Sequence, residues 1–386
     1  MDEFAVVHTD QTDSGLAGFA LGLQIREAML TSPDVVLLFV SSSYDQGLVL
    51  HTLQETCQPR LLLGCSSAGE FTSRMHGINL TCALAIRSDQ MRFSVGVGHN
   101  INSDGVGAAK EMLPAFSPRL ADYPCQTALV LADARGGQLD MFLEQLSTQA
   151  PGSYQFVGGG AGDNAQFYWT PVFYGANVLA DAAVVLTIQS KKPIGIGASH
   201  GWIPASKPME VTKVCGIDLL QLDGRPAVEA FHLQAQLRSQ RLDAAEPLPF
   251  FLHNLLGIKG AHGYTLRVPL AITRDGAIRC AAAIPKHAQV CLMEATTHSP
   301  IEAAIEATCQ ARRQIGNTRL AGALFFDCVT TRLAIGEAFG FELEAVQKQL
   351  GPIPYAGCNT HGQIVGRRGQ KSNFHNCTAV VCMFPA

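Results

Sequence analysis

The chain has 386 residues, with 28 Lys+Arg against 32 Asp+Glu, a formal net charge of −4, and no basic run, so there is no electrostatic footprint for nucleic acid. Hydrophobic residues make up 47% and charged residues only 16%, against about 25% in an average soluble domain, which excludes a disordered chain and points to a partly covered surface. The longest apolar runs, such as VVLLFV, fall far short of the roughly 20 residues that span a bilayer.

In chain order, the acidic opening MDEFAVVHTDQTD lacks the basic-then-apolar layout of a signal peptide, and twelve cysteines without such a signal read as reduced thiols. A cytoplasmic protein is expected. Asp13 or Ser14 can cap a first helix. DVVLLFV then reads as a buried strand, Tyr44–Cys57 as a helix, and LLLGCSSAGE as a strand running into a glycine turn. NLTCALAIRSDQMRFSVGVGHN follows as two alternating runs about a polar turn, the pattern of a hairpin.

The order then repeats. Ser103 or Asp104 caps a helix, TALVLADARGGQLDMFLEQL supplies strand and helix, YQFVGGGAGDN strand and glycine turn, and DAAVVLTIQSKKPIGIGASHG a second hairpin. Ser299-Pro300-Ile301-Glu302 has the form of a capping box opening a third copy. That copy continues through AGALFFDC, FELEAVQKQLG, PIPYAGCNTHGQI and NCTAVVCMFPA. Two of the turns share G-C-x-x-x-G-[E/Q], at Gly64–Glu70 and Gly357–Gln363; Gly158–Asp163 is one residue shorter. Residues 201–298 do not repeat the unit: a helix after Pro226, an apolar irregular loop over 241–263, and a hairpin at Asp275-Gly276 are expected there.

These readings define a mixed α/β (α+β) protein. Two lobes, 14–215 and 216–386, are built from repeated helix–strand–helix–strand–glycine turn–hairpin units. The turns mark ligand-facing positions: Cys65, Ser66, Ser67 and Glu70 in the first copy, Gly159 and Asp163 in the second, Cys358 and Gln363 in the third. Glu70, Asp163 and Gln363 form matching polar fingers. His361 lies inside the third turn and His200 ends a hairpin strand near Trp202; these two lead the twelve histidines as metal ligands. His99, His232, His253, His262 and His375 rank below them. Arg267 stands in an apolar strand and needs an anion, an internal carboxylate (Glu70, Asp163 or Asp327) ahead of a ligand. No C-x-x-C occurs, though Cys65, Cys328 and Cys358 could converge. Gly158-x-Gly160-x-Gly162 lacks the following helix of a nucleotide loop.

LLLGCSSAGE, GGGAGD, PIGIGASHGW, LDGRPAVEAF, PYAGCNTHGQI and FHNCTAVV together resemble the FIST family of sensory proteins, in the family's order and over about residues 35–384. The resemblance implies small-ligand sensing coupled to a histidine kinase or a cyclic-dinucleotide enzyme. A stand-alone chain of this length is similar to the haem-binding, nitric-oxide-sensing NosP group, so haem is the expected cofactor, with His200, His361, Trp202 and Arg267 around it and a homodimer possible. Thr360-His361-Gly362-Gln363 departs from the family's T-Y-G-E style, replacing an aromatic and an acid by a histidine and an amide. The alternatives are an amino-acid-like metabolite without haem, an enzyme with a Cys358/His361 nucleophile pair, and a bare interaction module.

Overall fold

The computed structural model describes residues 2–261, 263–366 and 372–386. The architecture is mixed α+β and follows one element order three times. The first unit is β1 (Glu3–Thr9), α1 (Ser14–Ala28), β2 (Val35–Ser41), α2 (Gln46–Cys57), β3 (Leu61–Ser67), β4 (Glu70–Thr72), β5 (His76–Gly77) and β6 (Thr81–Arg87). The second is β7 (Met91–His99), α3 (Gly105–Met112), β8 (Cys125–Ala132), α4 (Leu139–Gln149), β9 (Gln155–Gly160), β10 (Val172–Tyr174), β11 (Asn177–Leu179) and β12 (Ala182–Ser190).

The third unit opens with β13 (Gly195–Ser199) and is then interrupted. The interruption carries β14 (Ile203–Pro204), β15 (Met209–Cys215), β16 (Asp218–Leu222), β17 (Arg225–Pro226), α5 (Ala227–Leu237) and α6 (Leu248–Phe251). It continues with β18 (Leu255–Gly260), β19 (Gly263–Arg267), β20 (Pro269–Ile272), β21 (Ile278–Cys280) and β22 (Gln289–Glu294). The unit resumes as α7 (Ser299–Ile315), β23 (Leu320–Cys328), α8 (Val329–Ile335), α9 (Phe339–Leu350), β24 (Tyr355–Thr360), β25 (Gln363–Gly366), β26 (Asn373–His375) and β27 (Ala379–Pro385).

Three sheets have matching strand orders: β1-β6-β2-β3-β10-β11, β7-β12-β8-β9-β25-β26 and β13-β27-β23-β24-β4-β5. In each, two strands of one unit run parallel (β2 with β3, β8 with β9, β23 with β24) and the returning strand is antiparallel to the first of them. The last pair of each sheet belongs to another unit. β4 of the first unit lies on β24 of the third, β10 of the second on β3 of the first, and β25 of the third on β9 of the second. The exchange closes into a ring.

Sequence patterning explains the packing. In VVLLFV every residue is buried, as expected of a strand covered on both faces. Val35, Leu37 and Phe39 join Leu129, Leu131, Leu324 and Phe326 in one core shared by the three sheets. Val36, Leu38 and Val40 face the other way, onto Leu21, Leu50 and Leu53 of α1 and α2. The helices of the other units cover their own sheets alike. Asp13 and Asp104 cap α1 and α3.

Several sequence expectations change. The runs either side of Arg87–Gln90 form no hairpin: β6 closes the first sheet and β7 enters the second. The same holds for β12 and β13. Patterning marks the strands, of which β6 and β12 are buried on both faces, and is silent on their partners. α7 begins one residue early, with His298 at the cap, because Ser299 exchanges hydrogen bonds with Thr296 instead. The expected loop at 241–263 contains α6 and β18, the latter lying between β19 and β22 in a nine-stranded sheet that forms the interruption. Asp275-Gly276 does turn a hairpin, within the five-residue loop 273–277 between β20 and β21. Among the described residues no helix is long and apolar enough to cross a membrane.

Gly64, Gly158 and Gly357 share one constraint: a Cβ at each would overlap the carbonyl oxygen of Leu38, Val130 or Phe325 on the neighbouring parallel strand. Gly64→Ala is therefore expected to cost about 3 kcal/mol or more in urea unfolding. Gly47→Ala in the first turn of α2, where a Cβ meets only Asp45 at 3.5 Å, should be neutral or stabilising by up to about 1 kcal/mol.

Candidate functional site

The glycine turns approach one another. Ala68 N donates to Asn359 O (2.9 Å), His361 N to Gly160 O (3.0 Å) and Gly162 N to Ser66 O (2.9 Å). A second set runs backwards, from Asn359 N to Gly69 O (2.8 Å), Gly160 N to Gly362 O (2.8 Å) and Ser66 N to Pro171 O (3.0 Å). Ala68, Gly162 and His361 are thus equivalent, as are Gly69, Pro171 and Gly362. A Cβ on Gly162 would stand 2.9 Å from Ala68 N, so small residues here let three backbones meet.

This register corrects the alignment of polar fingers. Glu70 and Gln363 are equivalent, facing Cys358 and Gly159 on the sheets they join, but the second unit puts Val172 opposite Cys65. Asp163 starts an eight-residue addition, 163–170, before Pro171. Glu70 Oε1 lies 2.5 Å from Ser67 Oγ, and its Oε2 accepts from Leu80 N at 3.0 Å. Gln363 copies this: its Nε2 donates to Thr360 Oγ1 at 2.8 Å and its Oε1 accepts from Thr378 N at 3.1 Å. Both side chains brace a turn to its returning strand.

Cys65 and Cys358 point into the shared core, wholly buried, so they line no binding surface. Burial first, then the neighbouring Cys65, holds the Cys358 thiol well above its usual range. His361 Nε2 faces the Asp163 backbone N–H and carboxylate at 3.4 Å, away from that thiol. The nucleophile pair is not assembled. Cys328 meets Cys377 at 3.9 Å.

Asp163 organises its own loop, accepting from Gln166 N, Phe167 N, Tyr168 N and Trp169 N at 2.6–3.1 Å. Asn164, Ala165 and Phe167 have positive φ, and Tyr168 is 80% exposed. The Phe167 ring lies flat on His361 at 4.0 Å. Burial lowers the His361 pKa to about 4 against the pull of Asp163, so His361 is neutral.

The residues expected around haem do not fit that group. His361 is stacked against Phe167 on one face and engaged at Nε2, while its Nδ1 is wholly buried without a partner. Arg267 is consumed by Asp140 (2.7 Å) and the carbonyls of Ala283, Leu266 and Phe374, so its anion is internal, though not one of the three carboxylates expected. Trp202 is packed among Leu255, Leu266 and Met293. His200 Nε2 is bonded to Tyr264 O at 3.0 Å; its Nδ1 is buried without a partner. His99 pairs with Glu111 on the surface, His253 is exposed, His232 and His375 are half-buried, and His262 lies outside the described residues.

Sequence reasoning missed a cluster of unmet polar groups. Where the third unit meets the first unit's turn, Asp327 Oδ2, both oxygens of Glu342, Arg332 Nε, both amide atoms of Asn359 and Ser66 Oγ are buried without a hydrogen-bond partner among the described residues. Arg332 Nη2 donates to Ala68 O at 2.8 Å. A Cβ on Gly69 would lie 2.7 Å from Asn359 Oδ1 and 3.4 Å from Arg332 Nε, so both groups converge on one point. Burial, then Cys328, raises the Asp327 carboxyl well above its ordinary value, with Arg332 opposing; burial, then Asp327, does the same to Glu342. The signals were an acid ending an apolar strand (ALFFDC) and a Glu at the buried helical spacing of Phe339, Leu343 and Val346. Clefts of ≈ 870 Å³ by Phe4, Arg319 and Pro354 and of ≈ 680 Å³ by Asp34, Arg87 and Phe93 lie at the opposite ends of the parallel strands.

Glu70 offers a test of this electrostatics. Its carboxyl is pushed from 4.5 to about 7, chiefly by burial, against hydrogen bonds from Ser67 and Leu80 and the charge of Arg332. The folded protein then keeps a proton that the unfolded chain releases, so Glu70 costs stability progressively as pH rises from about 4.5 to about 7. Glu70→Gln, which copies Gln363, removes that loss. It is expected to match wild type at pH 4 and exceed it at pH 8 by on the order of 3 kcal/mol in paired urea titrations.

Comparison with known proteins agrees with the repeated turns. The profile described as FIST N domain matches residues 34–225 and that described as FIST C domain residues 230–366. No curated protein matches. Among solved structures, a crystal structure of a cyanuric acid hydrolase from A. caulinodans is 8% identical and covers 99% of both chains at a TM-score of 0.27, too low to carry any argument. FIST domains are sensory ligand-binding domains that signal to partner signalling domains. The chain belongs to the FIST family.

Proposed function

We propose that this protein senses a small, amino-acid-like metabolite bearing both a cationic and an anionic group, bound where the third unit meets the first unit's turn. The observation that carries this reading is the set of buried atoms without hydrogen-bond partners on Asp327, Glu342, Arg332 and Asn359. Two buried carboxylates with Arg332 near but no hydrogen-bonded cation are costly, and they hold protons until a cation pairs with them directly. A ligand ammonium fits that demand. The free Nε of Arg332 and the amide of Asn359 suit a carboxylate, which Arg recognises through a planar fork.

Output passes to a partner histidine kinase or cyclic-dinucleotide enzyme. The ligand shifts the population between arrangements of α8 and of the 163–170 loop, both of which touch the ring of turns. Haem with nitric oxide, the narrower expectation from the resemblance, is the rival that one assay separates.

Thermal-shift and calorimetric titrations with amino acids, amines and haem test the proposal. One zwitterionic class should stabilise the protein by about 2.7 kcal/mol at a hundred-fold excess over its Kd. Asp327→Asn, near-isosteric, and Arg332→Lys, which keeps the charge but loses the planar fork, should each weaken that binding about ten-fold or more. A stoichiometric Soret band that nitric oxide shifts and His200→Ala removes would overturn the proposal in favour of haem.

A further inference from the structure

We propose that Cys328 and Cys377 are a peroxide-reactive dithiol, an oxidation site at the joint between the repeated body and the inserted nine-stranded sheet. Cys328 ends β23 and precedes α8, Cys377 lies between β26 and β27, and their sulfurs are 3.9 Å apart. Both are buried in the cluster where Trp202, Leu266, Cys291 and Met293 of the insertion meet the body. Cys377 has φ +48, a left-handed conformation uncommon for a residue with a side chain.

The two sulfurs are inequivalent. The Cys377 thiol donates to the Cys328 sulfur. Burial works against the Cys328 thiolate, but hydrogen bonds from Cys377 and Thr330 outweigh it and bring the pKa down to about 6. The Cys377 thiol is held well above its usual value, by burial and then by Cys328. Cys328 is thus the nucleophile and Cys377 the resolving thiol.

The chemistry balances with a peroxide as oxidant. The Cys328 thiolate attacks one peroxide oxygen, the O–O bond breaks, and the product is a sulfenic acid plus hydroxide. That hydroxide takes the proton of Cys377 and leaves as water. The Cys377 thiolate attacks the sulfenic sulfur, the S–O bond breaks, and the departing hydroxide leaves as a second water after protonation. Two thiols lose two electrons and peroxide gains them. A disulfide of about 2.05 Å draws the sulfurs nearly 2 Å closer. It therefore moves the start of α8, the helix that carries Arg332.

The reduced full-length protein is titrated with hydrogen peroxide, quenched with N-ethylmaleimide under denaturing conditions, digested without reductant and mapped by mass spectrometry. A Cys328–Cys377 linked peptide should accumulate while Cys382, equally buried, stays alkylated, and dithiothreitol should reverse it. In Cys377→Ser, dimedone should label Cys328 and no link should form. The wild-type map alone decides the matter if that variant misfolds: Cys215 oxidised while Cys328 and Cys377 remain fully alkylated overturns the proposal.

Discussion

Three backbone hydrogen bonds, from Ala68 to Asn359, from Gly162 to Ser66 and from His361 to Gly160, close the ends of three separate sheets onto one another. Everything around them answers to that closure. The turns need small residues because three main chains share one place, and the arm after each turn joins a neighbouring sheet, while the outer edge of its own strand is taken by the arm of another unit. No sheet is complete without a strand from another unit, so the units are expected to fold as one body rather than as beads on a string.

On this repeated scaffold, chemistry sits where a unit departs from its siblings. The brace under the turn is Ser67 with Glu70 in one copy, Thr360 with Gln363 in another, and apolar Ala161 opposite the arm of Val172 in the other. Only the second unit carries the loop 163–170. Only the third puts an acid at the helix-facing end of its central strand: Val40 and Ala132 stand where Asp327 does, as the pairing of Leu38, Val130 and Phe325 with the conserved-position glycines fixes. The insertion enters the third unit between β13 and α7, where the other units have only residues 10–13 and 100–104. The unmet polar groups and the cysteine pair lie in this most altered unit.

Much of the fold was legible in the sequence because burial on two faces leaves a plain mark. Runs such as VVLLFV and the capping residues Asp13 and Asp104 placed strands and helices, and G-C-x-x-x-G repeated the turn. Strand partnership was not legible: MRFSVGVGH alternates whether it pairs with the run before it or, as it does, with β12. Nor could spacing show that Asp163 begins an addition, since Gly-acid recurs there by coincidence of local sequence. Cys65 and Cys358 were read as ligand-facing because small residues beside glycine suit close approach, but the approaching group is another turn. Glu342 escaped notice because a helical Glu ordinarily faces water, and here its carboxyl faces Asp327.

The most direct test of the closed ring is amide hydrogen exchange at Ala68, Gly162 and His361. If the ring is the keystone, these amides exchange only through global unfolding, with protection equal to the stability measured in urea. Exchange well before the β2, β8 and β23 amides would show that the turns open locally, and would contradict the view that their mutual hydrogen bonds hold the three units together.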